Sequence, residues 1–534
     1  MSDQNALERG GGGLVWDRLG PTTRRRFIAG SIRLGLGAVA APVLAEALVG
    51  CGQLRASGKT LTWSRGDDLR TQDPQLISGL MEGTIARVLY DPLMDTDAKG
   101  NQIKVLATDW SMSEDGKSYT FKLQSGVKFH DGSDFDADSV VFTFQRLLDN
   151  PTFQHASSFK GVLDKVAAVD PSTVRFDLAK PNPGLITSFG EPILCPAAFK
   201  QYGADFFKKG IGTGPFKYNS WTANERWIGD ANHNYWVKGM VKLDQIIFRS
   251  IREDATRIAA LQSGEVDIID SLSGDQAEQL GKDANVSIIR SPATNELAIT
   301  FNVRRDPFKS KDARWAVAYA IDTNNIVTNI IKAGHAVGAS IPPGTIGYDD
   351  ALFKKVIPYD MAKAKDSFSK AGIKPGTKIS FKLNPAWFAK IKEACEYAGN
   401  QLQQLGFQVD MQFLEPGAYT QARKTGDFDI CIQEIGRANN PDPNFTILYV
   451  DSAFGNFYKE INPNIVTMIE QARSELDQTK RDNDYKQIQQ VLYDDLPELI
   501  LYQEEFIWGV RKRVTGFEGR TGGDTRVYAC DVTA

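Results

Sequence analysis

Between Glu434 and Asp442 the chain reads Glu-Ile-Gly-Arg-Ala-Asn-Asn-Pro-Asp. Arg437, Asn439, Asn440 and Asp442 place a cation, two amides and a carboxylate together, and no helical periodicity accounts for them. A solvated loop is the plain alternative; reversible recognition of a small polar solute is the chemical one, and a guanidinium suits a bidentate carboxylate. No catalytic constellation accompanies this loop. There is no G-x-S-x-G elbow, no G-x-x-x-x-G-K-[ST] loop, and no G-x-G-x-x-G after a strand. His130 and Asp131 are adjacent, but their surroundings read as strand and turn with no serine or cysteine in prospect, which suits a structural histidine. His155, His233 and His335 are scattered. Five cysteines without C-x-x-C, and four histidines without H-E-x-x-H, give no metal site. No catalytic residue, metal or cofactor is therefore assigned.

The elements that must hold such a loop are legible around it. Ile379, Phe381 and Leu383 alternate with polar residues as a half-buried strand does. Ile391, Ala394, Cys395, Ala398, Leu402 and Leu405 recur on one helical face, and Gly406 follows where a left-handed stop wants glycine. Phe407, Val409, Met411 and Phe413 alternate again, a short helix near Ala418–Lys424 follows, and Phe428–Gln433 forms another strand. This β-α-β-α-β order predicts parallel strands with right-handed crossovers, and ligands outside their carboxyl ends. The loops leaving those ends are Asn384-Pro385-Ala386-Trp387 and Glu434–Asp442. Elsewhere the pattern predicts a helix over Asp254–Gly264, a strand over Val266–Ile269 and a helix over Ala313–Ala320. A second helix is capped by Asp322 and ended by Gly334. Further on come a helix through Tyr485–Leu492 and two strands, Leu499–Tyr502 and Phe506–Val510.

Composition bounds the rest. At 534 residues the chain is several domain-sized units long, and 42% hydrophobic with 24% charged residues is ordinary for a globular protein. A net charge of −4 leaves no basic field for nucleic acid. The first fifty residues read as an address: Arg24-Arg25 stand before a weakly apolar run broken by Arg33 and Glu46, the pattern of a twin-arginine export signal. Leu48-Val49-Gly50-Cys51 resembles the lipobox of bacterial lipoproteins, in which the cysteine is acylated. Residues 51–56 then form a tether. The alternative, a membrane-spanning anchor, would put both charges in the hydrocarbon. Export in the folded state from a reducing cytoplasm leaves no expectation of disulfides among Cys195, Cys395, Cys431 and Cys530.

Six fragments, in order, carry a family resemblance. Trp110-Ser111-x-Ser113-x-Asp115-Gly116 through Tyr119-Thr120-Phe121 runs into Gly126-Val127-Lys128-Phe129-His130-Asp131-Gly132. There follow Gly212-Thr213-Gly214-Pro215-Phe216 with Asn234-Tyr235-Trp236, and Leu261-Gln262-Ser263-Gly264-Glu265-Val266-Asp267. Pro342-Pro343-Gly344, Pro441-Asp442-Pro443-x-Phe445 and Tyr485-Lys486-Gln487-Ile488 complete the set. Over residues 60–515 this resembles the family 5 extracellular solute-binding proteins of ABC importers. The resemblance implies an α/β, two-lobe type II periplasmic-binding-protein clamp with an inserted α+β subdomain. Lobe I would take residues 57–90, 223–300 and 497–534, the subdomain 91–222, and lobe II 301–496, with hinge crossings near 301 and 497.

It also implies a monomer in the periplasm or at the extracytoplasmic membrane surface, lipid-anchored at Cys51, closing on a small peptide or peptide-like solute and delivering it to permease subunits. Peptide binders of this kind pair an aspartate with the ligand's ammonium group. That position falls on Asn439 here and Arg437 is added nearby, which leaves Asp442 or Glu434 as acceptors. The same departure favours a ligand with a carboxylate or phosphate: an opine-like acidic conjugate, or alternatively a sugar or a metal chelate. The family places further contacts at Arg65, Gly66 and Asp67; Asn295 and Trp387 complete the expected site. Two rivals stand outside this reading, a secreted lipoprotein hydrolase and a clamp that signals without transport.

Overall fold

The structure is a computed structural model. It describes residues 58–534 apart from 78, 99, 152, 386–389, 437–439, 453, 454, 524, 525 and 534. The expected export signal and Cys51 lie outside the described residues, as do Trp387, Arg437 and Asn439. Ala56–Ala534 is one compact unit.

Its backbone is a mixed sheet. In spatial order the strands are Gln408–Phe413, Lys378–Leu383, Ile430–Gly436, Val286–Phe301, Glu498–Arg511, Ile268–Ile269, Thr60–Arg65, Gln245–Ser250, Arg226–Ala231 and Phe216–Thr222, with Gly334–His335 added to the edge of Glu498–Arg511. Ala107–Met112, Ser118–Leu123, Thr173–Leu178 and Leu163–Asp170 form a separate four-stranded antiparallel sheet.

The predicted β-α-β-α-β unit is present: Lys378–Leu383 pairs in parallel with Gln408–Phe413 and with Ile430–Gly436. The helix Ile391–Leu405 buries Ala394, Cys395, Ala398, Leu402 and Leu405 against it. Gly406 ends that helix at φ 124°, a conformation closed to side chains with a Cβ. Gly264 at φ 84° closes the predicted helix Asp254–Ser263 in the same way.

Two expectations are corrected. The helix capped by Asp322, whose carboxylate accepts from Asn325 N, stops at Lys332 and not at Gly334; Lys332 itself takes the left-handed conformation. Gly334 instead opens a short strand, where a Cβ would meet Gln503 O at 2.5 Å. The two C-terminal strands are one, Glu498–Arg511. The polar run Gln503-Glu504-Glu505 looked like a break, but strand pairing on both sides carries it through the sheet.

Val286–Phe301 and Glu498–Arg511 run antiparallel and join three hydrophobic cores. Leu297, Ile299 and Phe301 pack with Leu499, Leu501 and Tyr502 in the core of the β-α-β-α-β unit. Val286 and Ile507 pack with Leu261, Ile269 and Leu280, while Trp508 and Val510 join Trp63 and Phe248. The register slips between Pro292 and Glu296, so the ladder is irregular between the cores.

Candidate functional site

Strand register locates the cleft. Ile430–Gly436 advances along Val286–Phe301 until Gly436 stands opposite Asn295, and Glu296 stands opposite Gln503. From the other side Ile268–Ile269 advances until Ile269 stands opposite Gly509. The carboxyl ends of the two parallel strand sets therefore face each other across residues 504–508 of the long C-terminal strand. This is where open α/β sheets present ligand-binding loops.

On one side of this gap, Arg65 ends its strand almost wholly buried. Its Nη1 lies 2.5 Å from Asp270 Oδ2 and its Nε donates to Asp67 Oδ1 at 2.9 Å. Asp270 also accepts from Trp63 Nε1 at 3.1 Å. Burial pushes the Asp270 carboxyl up, while Arg65 pulls it back. Asp67 is exposed. A Cβ on Gly66 would come to 3.2 Å from Arg257 Nη1. Arg65 and Asp67 are thus brought together, with Asp270 as the member that the sequence reading missed. Its signal was its place directly after a predicted strand.

On the other side, Asn295 Nδ2 donates to Glu434 Oε1 at 2.8 Å. Glu434 and Tyr502 both stand opposite Leu297, so they share its face of the sheet, and Glu504 two residues on shares it too. Burial raises the Glu434 carboxyl, with Arg423 opposing the shift. Burial together with the Glu434 charge pushes Glu504 up to about 7. No hydrogen bond or ion pair engages the Glu504 carboxylate among the described residues, whereas Glu505 beside it is taken by Arg290 and His335. Glu504 was hidden from the sequence reading by the apparent break between two strands.

Glu434 lies in the strand Ile430–Gly436 and not in the expected loop, and the described binding candidates beyond it, Asn440 and Asp442, are committed within the protein. Asn440 Nδ2 donates to Gly184 O at 3.1 Å, and Asn440 Oδ1 accepts from Asp442 N at 3.1 Å. Asp442 is buried and accepts from Arg473 Nε at 2.8 Å. Of the two alternative ammonium acceptors, Asp442 is therefore occupied, and among the described residues the one hydrogen bond to Glu434 comes from a neutral amide. The His130 ring is held by backbone, between the carbonyls of Gly210 and Gly214 at 3.3 and 3.0 Å, and burial lowers its pKa.

Two opposed sets of parallel strands joined by long antiparallel crossings, with polar residues facing across the join, make a two-lobe type II solute-binding clamp. The sequence profile of the bacterial extracellular solute-binding proteins, family 5, middle region, matches residues 101–457. The chain belongs to this family of binding components of ABC importers. It is 29% identical over 480 residues to the glutathione-binding protein GsiB of Pectobacterium atrosepticum, covering 85% of this chain and 90% of that one. The substrate-binding protein CtaP of an ABC transporter from Listeria monocytogenes superposes with a TM-score of 0.81 at 25% identity, over 89% of this chain and all of that one. The periplasmic binding protein DppA of Helicobacter pylori, in complex with the peptide STSA, gives 0.73 at 24% identity over 89% of this chain and 98% of that one.

Proposed function

We propose that this clamp captures a small peptide-like solute bearing a free amine and delivers it to the permease of its importer. The observation that carries the reading is the Glu504 carboxylate, half-buried at the join of the lobes beside Glu434 and, among the described residues, without a cation of its own. Two like charges held together in a low-dielectric site favour a cationic guest, which stabilises both ionised forms. Asn295 orients Glu434, and Asn440 and Asp442 shape the loop above. The ammonium acceptor that the family would place at Asn439 is supplied, in this reading, from the strands below. The glutathione-binding relative supports a short peptide with a free amine.

The protein reaches its place of work through the Arg24-Arg25 signal and stays there by acylation of Cys51. The test is native mass spectrometry of protein purified untagged from its own cells, followed by release of whatever co-purified. A di- to pentapeptide or a glutathione-like mass is expected, and loss of its uptake on deletion completes the case. A sugar, a metal chelate or an acidic conjugate without an amine would overturn the ligand class; steady turnover of a peptide would overturn the binding role.

A further inference from the structure

Asn440 and Gly184 lie 256 positions apart and flank residues of different hydrophobic cores. Leu185 packs with Tyr119, Phe121 and the rest of the four-stranded sheet's core. Phe445 and Leu448, just after Asn440, pack with Ile465, Ile469 and Tyr485. The Asn440 amide is pre-aimed: Arg473 holds Asp442, the Asp442 backbone N–H holds Asn440 Oδ1, and Nδ2 is left pointing at Gly184 O. The receiving loop is equally fixed, since Tyr119 Oη donates to Asn182 O at 2.9 Å. Leu476 makes a second close approach across the same seam, against Gly116, where an added Cβ would meet its side chain.

The fit at Gly184 is close. A Cβ there would fall 2.6 Å from Asn440 Nδ2, and its three nearest heavy atoms all belong to Asn440. Gly184 is not in the left-handed region, so nothing in its own backbone requires glycine. The missing side chain serves the approach of the opposite loop.

We propose that Asn440 and Gly184 form a clasp that shuts the ligand compartment on the side of the four-stranded sheet, making Asn440 a positioning residue that acts on ligand affinity through closure. This rests on the clamp reading above, and it explains why both ends of a loop amide are spent on protein groups.

The test needs no ligand. Thioether-linked nitroxides are placed at Asp164→Cys and Glu470→Cys, exposed positions on the two sides of the seam, in the otherwise intact chain. Electron–electron distance measurements are then made on this parent, on Gly184→Ala and on Asn440→Ser. The parent is expected to show a short-distance component, which Gly184→Ala reduces at least fivefold relative to the long one at unchanged melting temperature. Asn440→Ser, which cannot reach Gly184 O, shifts the balance the same way and covers the case in which Gly184→Ala folds poorly. Superimposable distributions, or a parent with no short component, overturn the clasp. Neither outcome depends on the ligand, so failure here is separable from failure of the peptide reading.

Discussion

Asn295 donates through Nδ2 to Glu434 Oε1 across neighbouring strands, at 2.8 Å, and so fixes one carboxylate on the sheet face that also carries Glu504. A neutral amide orients a carboxylate without cancelling its charge. An arginine in its place would satisfy Glu434 completely and leave nothing for a guest. The relationship therefore sets Glu434, the carboxylate proposed to bind, apart from Asp442, which Arg473 holds.

Glu434→Gln and Glu504→Gln keep shape and remove charge, so they test amine recognition directly. A charge-assisted hydrogen bond contributes about 1.5–3 kcal/mol, roughly 10- to 150-fold in affinity. Titration calorimetry with an unblocked dipeptide and its N-acetylated form should show wild-type preference for the free amine, and either substitution should largely erase it. Retention of the preference in both variants would remove the carboxylates from the site.

Glu504 also sets a pH dependence. Its folded-state pKa, about 7, lies above the ordinary glutamate value near 4.3, so the folded state binds the proton more tightly than the unfolded chain. Its contribution to stability is complete below about pH 4 and is lost as pH rises through 7, with an upper bound of about 4 kcal/mol. Ligand-free melting temperature should fall between pH 5 and pH 8, and Glu504→Gln should flatten that slope. Affinity for an ammonium ligand should run the other way, rising with pH as Glu504 ionises.

Arg65 and Asp270 are a buried pair, with side chains 7% and 4% exposed. Removing one partner of such a pair costs about 3–5 kcal/mol, because the other charge is stranded. Arg65→Ala should therefore destabilise the ligand-free protein by about 3 kcal/mol in urea titration, less at acidic pH, where Asp270 can take a proton. Arg65→Ala with Asp270→Ala should cost less than the two single losses together.

The fold is most legible in the sequence where periodicity and a stop signal coincide. Ile391–Leu405 with Gly406, and the alternation of Ile379, Phe381 and Leu383, report their own neighbours, and the parallel pairing follows from their order. Loop composition marked the 434–442 region, but it could not say that Asn440 and Asp442 would be spent on Gly184 and Arg473, residues remote in the chain. Glu504 was lost for a related reason. Three polar residues inside a strand read as a gap until pairing with Val286–Phe301 and Gly334–His335 is known. Lys332 ended a helix that Gly334 seemed placed to end, because the glycine was needed for close passage beside Gln503.

The cysteines give a prediction that also tests the lipid anchor. Cys195, Cys395, Cys431 and Cys530 are free and buried. Cys395 and Cys431 share the core of the β-α-β-α-β unit, while Cys195 and Cys530 lie in the core around Trp63. Burial pushes the Cys431 and Cys530 thiols up to about 12 and raises Cys195 and Cys395 as well, so little thiolate exists at neutral pH. In the native protein these four should resist an aromatic disulfide reagent for as long as the fold persists, and added reductant should leave the melting temperature unchanged. Under denaturing conditions all four should react. Cys51, the fifth cysteine of the sequence, then decides the count: protein extracted from its native membrane should release four thiols if Cys51 is acylated and five if it is not. A Cys51→Ala variant should appear in the soluble extracytoplasmic fraction and titrate to four.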